Sequence, residues 1–182
     1  MKKQLHLFVL LFFSISAHSQ ELGYRTLDAG AGYLYTPEGP VINLHFALNA
    51  RERHSFVFGG GYNKLNRQST SKHASETGNG WGGFLGYRYH FSVMPKRFFI
   101  GVRAGIRSMN VSWATTESAG TSNLLVLQPG LETGYTFLIN DMFFITPHII
   151  ASLQKKLAEK GENVSFGKDF LPLAGISCGW RF

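Results

Sequence analysis

A chain of 182 residues with 44% hydrophobic side chains suits one domain with a core of its own. Its one cysteine, Cys178, excludes an internal disulfide framework, and without a Cys or His cluster there is no structural zinc signature. The formal charge of +7 raises nucleic acid as a partner, but the chain's first residues exclude it.

Met1-Lys2-Lys3, an apolar run from Leu5 to Ala17 and the ending Ala17-His18-Ser19 read as a secretory signal peptide over residues 1–19, cut before Gln20. The run is too short to cross a bilayer as a helix, and no lipobox cysteine stands near it. Losing Lys2 and Lys3 lowers the charge to +5. An exported basic chain meets anionic lipid head groups rather than nucleic acid. After Gln20 no apolar stretch could serve as a transmembrane helix. The 21 glycines, 16 phenylalanines and 7 tyrosines point to an all-β domain over 20–182.

Alternation of apolar and polar residues, the mark of strands, predicts eight of them. The first, about Tyr24 to Thr36, sets Leu27, Ala29, Ala31, Tyr33 and Tyr35 against Thr26, Asp28, Gly30 and Gly32. Pro37 to Pro40 is a turn. The second, Val41 to Ala50, carries Ile42, Leu44, Phe46 and Leu48 on one face; the third carries Phe56, Phe58 and Tyr62. Asn63 to Asn79 is polar and reads as a long loop. In the fourth, Trp81, Leu85, Tyr87, Tyr89 and Phe91 oppose Phe84, Arg88, His90 and glycines. The fifth opposes Phe98, Ile100, Val102, Ala104 and Ile106 to Phe99, Arg103 and Arg107, and Asn110 to Ser122 reads as a second long loop. The sixth runs from Leu125 to Phe137 with Glu132 on its polar face. The seventh runs from Phe143 to Gln154 with His148 there, and Lys155 to Gly167 is a third long, charged loop. The last, from Ala174, sets Ile176, Cys178, Trp180 and Phe182 against Ser177, Arg181 and glycines.

The connections Arg51–His54, Ser92–Lys96 and Ile139–Asp141 are short, and three of the other four are long. An even-stranded barrel with both ends in the periplasm sorts its loops this way. Aromatics gather near strand ends on the apolar face, as interfacial girdles require. Twelve of the 21 glycines fall on the opposite face and make room for its charged and aromatic side chains. The expected fold is a closed antiparallel up-and-down transmembrane β-barrel of eight strands. Pro129, Pro147 and Pro172 oppose it, since a closed sheet has no free edge for a missing N–H.

A terminal phenylalanine preceded by apolar residues at alternate positions, Trp180 and Phe182 here, resembles the signal read by the outer-membrane barrel-assembly machinery. From Gln20 to Phe182 the chain resembles small barrels of the OmpA-transmembrane and OmpX kind. Gln20 as first mature residue is similar to exported proteins of the Bacteroidetes. The resemblance implies a monomeric outer-membrane protein, without a cofactor, in a structural, adhesive or secretion- and conjugation-accessory role.

Three constellations remain. Asp28, Arg88, Arg103, Arg107, Glu132 and His148 face inward, with Arg103 and Glu132 expected at one height; ion pairs filling a barrel too narrow to conduct are the expectation, a solute path the alternative. Lipid A deacylases, also small barrels, resemble a His-x-Ser pair. His90-Phe91-Ser92 has that spacing, but at the periplasmic end and facing inward. His148 and Ser152 stand about 13 Å apart along their strand. The expectation is no catalytic residue and no metal site. Lys64, Arg67, Lys72, Lys155 and Lys156 make the long loops basic, suited to lipopolysaccharide phosphates. A soluble lipocalin-like barrel is the other alternative, with its apolar face inside.

Overall fold

The computed structural model describes residues 26–50, 53–68, 75–92, 97–115, 118–161 and 170–182. The expected signal peptide at 1–19, Lys72 and the side chain of Arg67 lie outside what is described. The strands are β1 (Thr26–Tyr35), β2 (Val41–Ala50), β3 (His54–Gln68), β4 (Ser75–His90), β5 (Arg97–Ala114), β6 (Ala119–Ile139), β7 (Phe143–Leu153), β8 (Lys155–Lys160) and β9 (Phe170–Arg181). β7 and β8 form one stave broken at Gln154, each pairing with β6. All pairings are antiparallel; β5 pairs with β6 and β9 with β1, so eight staves close on themselves. Closure removes the open edges that would otherwise template aggregation.

The seam is fixed by the last residue. Phe182 and Leu27 exchange both backbone hydrogen bonds, at 2.8 and 3.0 Å. Trp180 and Phe182, 58% and 74% exposed, point outward there. The short connection at the end of β6 is the three-residue turn Asn140–Met142, closed by the pair Ile139 and Phe143. Asn140 and Asp141 have φ of 50° and 56°, and Met142 N–H donates to Ile139 O at 3.3 Å. Two consecutive positive φ values match the right-handed twist of the flanking strands.

The faces have the predicted sign. Leu44, Phe58, Leu85, Val102, Leu131, Ile149 and Ile176 are exposed on the outer wall, while Asp28, Arg88 and Glu132 are buried within. A lipocalin-like arrangement has the reverse sign. Along β4 the lipid-type face runs from Phe91 to Trp81. Those ten steps cover about 33 Å of strand, or about 25 Å along the normal at a tilt near 40°, the height of a bilayer's apolar band. Inside, a Cβ at Gly134 would stand 2.8 Å from the Phe99 ring, so only glycine lets that ring cross the lumen.

Two expectations are corrected. The stretches Asn63–Asn79 and Asn110–Ser122 are mostly strand, and Lys155–Lys160 is β8. They extend the wall beyond the band by six or so residues, about 20 Å of strand. Here alternation changes sign. Lys64, Asn79, Asn110, Asn123 and Lys160 form one outward row. Leu65, Met109, Val111, Trp113, Leu124 and Val126 pack together on the inner face. A polar outside and apolar inside is what water requires of a sheet; a search for apolar-out strands loses the signal at this height.

The prolines are the second correction, because the wall accommodates them at interruptions. The β6–β7 ladder lacks the pairs at Tyr135–Thr136, opposite Thr146–Pro147, and Thr146 Oγ1 donates to Thr136 Oγ1 at 3.1 Å instead. Pro129 lies where β6 passes from β7 to β8; its carbonyl accepts from Ser152 Oγ at 3.0 Å. Pro172 lies beyond the β1–β9 ladder, which stops at Ala174.

Candidate interior site

From the closing seam outward, the lumen is layered. The lowest layer joins the first and last strands. Arg181 stands directly opposite Asp28 and donates to both its oxygens, Nε at 2.6 Å and a terminal nitrogen at 2.7 Å. Beside it Ser55 Oγ donates to Asn49 Oδ1 and lies 2.9 Å from His90 Nε2. His90 is thus buried against Ser55, not engaged with Ser92, which is exposed.

The second layer holds Arg88, Glu132 and His148, all buried. Arg88 donates to both oxygens of Glu132, at 2.6 and 3.2 Å, and its guanidinium lies 4.6 Å from the centre of the Phe99 ring. His148 Nε2 stands 4.0 Å from Glu132 Oε1, while its Nδ1 faces Thr146 O at 3.0 Å. Arg88, Gly101 and Glu132 are successive partners across β4, β5 and β6. The missing side chain at Gly101 is what lets Arg88 reach over β5.

Arg103, expected at the height of Glu132, pairs in the ladder with Gly130, and Glu132 is held instead by Arg88 and Asp28 by Arg181. Heights counted from the turns neglect stagger, which a closed barrel imposes through its tilt. Arg97, the first residue of β5, pairs with Thr136, three residues inside the end of β6. Arg181 is legible in the sequence as an inward residue of the last strand. Its pairing with Asp28 follows once the first and last strands are taken as neighbours.

Arg103 and Arg107 form a third layer with Asn63, Gln128 and Ser152 around a cavity of about 40 Å³. The Arg103 guanidinium lies 3.4 Å from the centre of the Phe84 ring. Leu34, Ile150 and Leu173, which pack with Leu171 in one apolar cluster, also line the cavity, and the apolar cluster on β3, β5 and β6 lies farther out. Among the described residues no His, Cys, Asp or Glu group could hold a metal ion. His148 and Ser152 hydrogen-bond to separate backbone carbonyls.

On the outside, Lys64 and Lys155 are exposed near the upper rim of the apolar band, whereas Lys156 turns to Glu159, 2.5 Å away.

A barrel of eight staves, apolar outside and charged inside, has counterparts among solved structures. A major outer membrane protein from Thermus thermophilus superposes with a TM-score of 0.60 at 12% identity, over 87% of this chain and 100% of that one. The N-terminal β-barrel domain of Pseudomonas aeruginosa OprF gives 0.54 at 16%, over 86% and 97%. Neisserial surface protein A gives 0.53 at 13%, over 86% and 94%. The fold is that of the small outer-membrane β-barrels. No protein-family model matches the sequence, and no curated protein matches it significantly.

Proposed function

We propose that the chain is an integral outer-membrane protein, exported through the signal peptide at 1–19, that acts as a monomeric, non-enzymatic barrel with a filled lumen. One observation carries this: a closed wall presents a belt of exposed large apolar side chains, about 25 Å tall along β4, around a charged interior. In water such a belt would aggregate. Eight strands leave a lumen that side chains fill, and the Arg88–Glu132 and Arg181–Asp28 pairs occupy it at two heights. Lys64 and Lys155, with Arg67 and Lys72 nearby in sequence, supply cations where lipopolysaccharide phosphates would lie. Trp180 and Phe182 present the last strand to the assembly machinery. The role that fits is structural, adhesive, or accessory to secretion or conjugation, exercised by the outer extension.

Fractionation tests the reading. Expressed in a Gram-negative host, the protein should stay in the membrane pellet after alkaline extraction and shift in mobility on boiling. A soluble periplasmic product would reject it. In planar bilayers the folded protein should give no steady porin-sized current; stable steps would reject the filled lumen while leaving the location intact.

A further inference from the structure

We propose that the outer wall at the foot of β3 and β4 holds the phosphate of one glycerophospholipid, gripped by Arg53, His54 and Tyr89. His54 opens β3 and stands opposite Tyr89 of β4, two residues inside Phe91, where the lipid-facing stretch of β4 begins. These outward rings mark the level at which hydrocarbon gives way to head groups. Arg53, exposed, comes just before them. One of its terminal nitrogens donates to Tyr89 Oη at 3.5 Å. A guanidinium carries several N–H groups, and this bond uses one.

The imidazole adds a second donor, and its neighbour decides which nitrogen that is. His54 Nδ1 lies 2.6 Å from Tyr87 Oη. A phenol O–H donating into Nδ1 places the ring proton on Nε2, because a neutral imidazole has one donor and one acceptor. Tyr89 Oη accepts from Arg53, which leaves its own O–H to point at a ligand. A cation, an N–H and an O–H thus meet on three neighbouring side chains, and phosphodiester oxygens accept from all three. Packing fixes the rings. His54 meets Tyr89 edge-on with centres 5.5 Å apart, Tyr87 leans on Phe56 at 5.5 Å, and Tyr89 meets Phe91 at 5.4 Å. Toward mid-belt the same face continues in Phe56 and, opposite it on β2, Leu48, both exposed. Ala50, the partner of His54 on β2, puts no bulky side chain beside the imidazole. Donors at the boundary with an apolar track leading away from them fit a ligand of two parts, a phosphate and its acyl chains. Free phosphate would use the donors alone, in water, where such contacts are worth little.

This site rests on the outer-membrane reading, yet the two can fail separately. Native mass spectrometry of the heat-modifiable protein, in a phospholipid-free detergent with added dimyristoyl phosphatidylglycerol, should show one lipid retained per chain. Dimyristoylglycerol, which has the chains without the phosphate, and inorganic phosphate should each be retained about tenfold less, the worth of one charge-assisted hydrogen bond. Arg53→Gln and His54→Ala should lower retention of the phospholipid by a similar factor, and Lys64→Gln at the other rim should keep it. Tyr87→Phe, which removes only the group that sets the imidazole proton, should lower it less. If Arg53→Gln and His54→Ala shift on boiling and hold the phospholipid as well as the unaltered protein does, or if dimyristoylglycerol is held equally, the proposal is wrong. Should neither variant fold, a crystal of the unaltered protein grown with the same phospholipid decides: phosphorus beside Arg53 supports the site, and phosphorus only elsewhere, or none, overturns it. A membrane-resident protein that retains no phospholipid sinks this site alone; a soluble product that retains it sinks the location alone.

Discussion

Strand β5 passes through two regions that treat the same alternation in opposite ways. From Phe98 to Ile106 its outward residues are apolar while Arg103 points in; from Ser108 to Ser112 its outward residues are polar while Met109, Val111 and Trp113 point in. The backbone ladder runs unbroken through the change, with β4 and β6 paired on either side. What alters is the solvent outside. Beside hydrocarbon, the wall gains nothing by hiding apolar side chains, and the lumen can hold polar ones if each finds a partner. Beside water the ordinary rule returns and the extension builds a core of its own. The two regions are therefore held by different forces: paired charges and glycine-admitted rings in the belt, apolar packing in the extension.

That difference predicts which substitutions matter where. The largest effect is expected in the lower lumen. Arg88→Ala strands Glu132 and should cost about 3–5 kcal/mol; adding Glu132→Gln should restore much of it, as read from urea unfolding in detergent. Arg103→Ala should be milder and gain nothing from Glu132→Gln, since Arg103 rests on Phe84. Equal rescue of the two would return Glu132 to Arg103.

In the extension the sensitive positions are apolar. Trp113→Ala should remove about 3–5 kcal/mol from the packing there. Because that cluster lies above the belt, the variant should still shift on boiling, yet be cut by protease between β3 and β6 where the unaltered protein resists. Loss of the whole barrel would mean that the two regions fold as one.

Much of this is legible in the sequence, and the limits have physical causes. Period-2 patterning yields strand identity and the face of nearly every residue, because a one-residue slip would turn every apolar side chain into the lumen. Height is harder. The stagger of β5 against β6 has no local sequence mark, so counting from the turns puts Arg103 where Arg88 belongs. The extension reads as loops because Ser108, Asn110, Ser112, Thr121 and Asn123 are outward residues of strands in water, and polar residues in series resemble a loop. Leu65, Val111, Trp113 and Leu124, at alternate positions among them, are the available signal. Pro147 becomes intelligible only with the gap in the β6–β7 ladder beside it.

On the outer wall the effects are smaller and the contrast sharper. Val102, 55% exposed in mid-belt, should cost about 2–4 kcal/mol when changed to Arg, and heat-modifiable product should fall. Asn110→Arg, on the same face of the same strand, should stay within about 0.5 kcal/mol. Similar losses at both sites would place one solvent along the whole strand.

The boundary itself can be measured. With Cys178 changed to Ser, a nitroxide placed in turn at each outward position of β5 from Phe98 to Ser112 reports its surroundings in reconstituted bilayers through collisions with oxygen, which favours lipid, and with a water-soluble nickel chelate. Oxygen should dominate from Phe98 through Ile106 and the chelate from Ser108 onward, with the crossover at the step where the alternation reverses. Chelate access along the whole strand, or oxygen dominance as far as Ser112, would contradict the account.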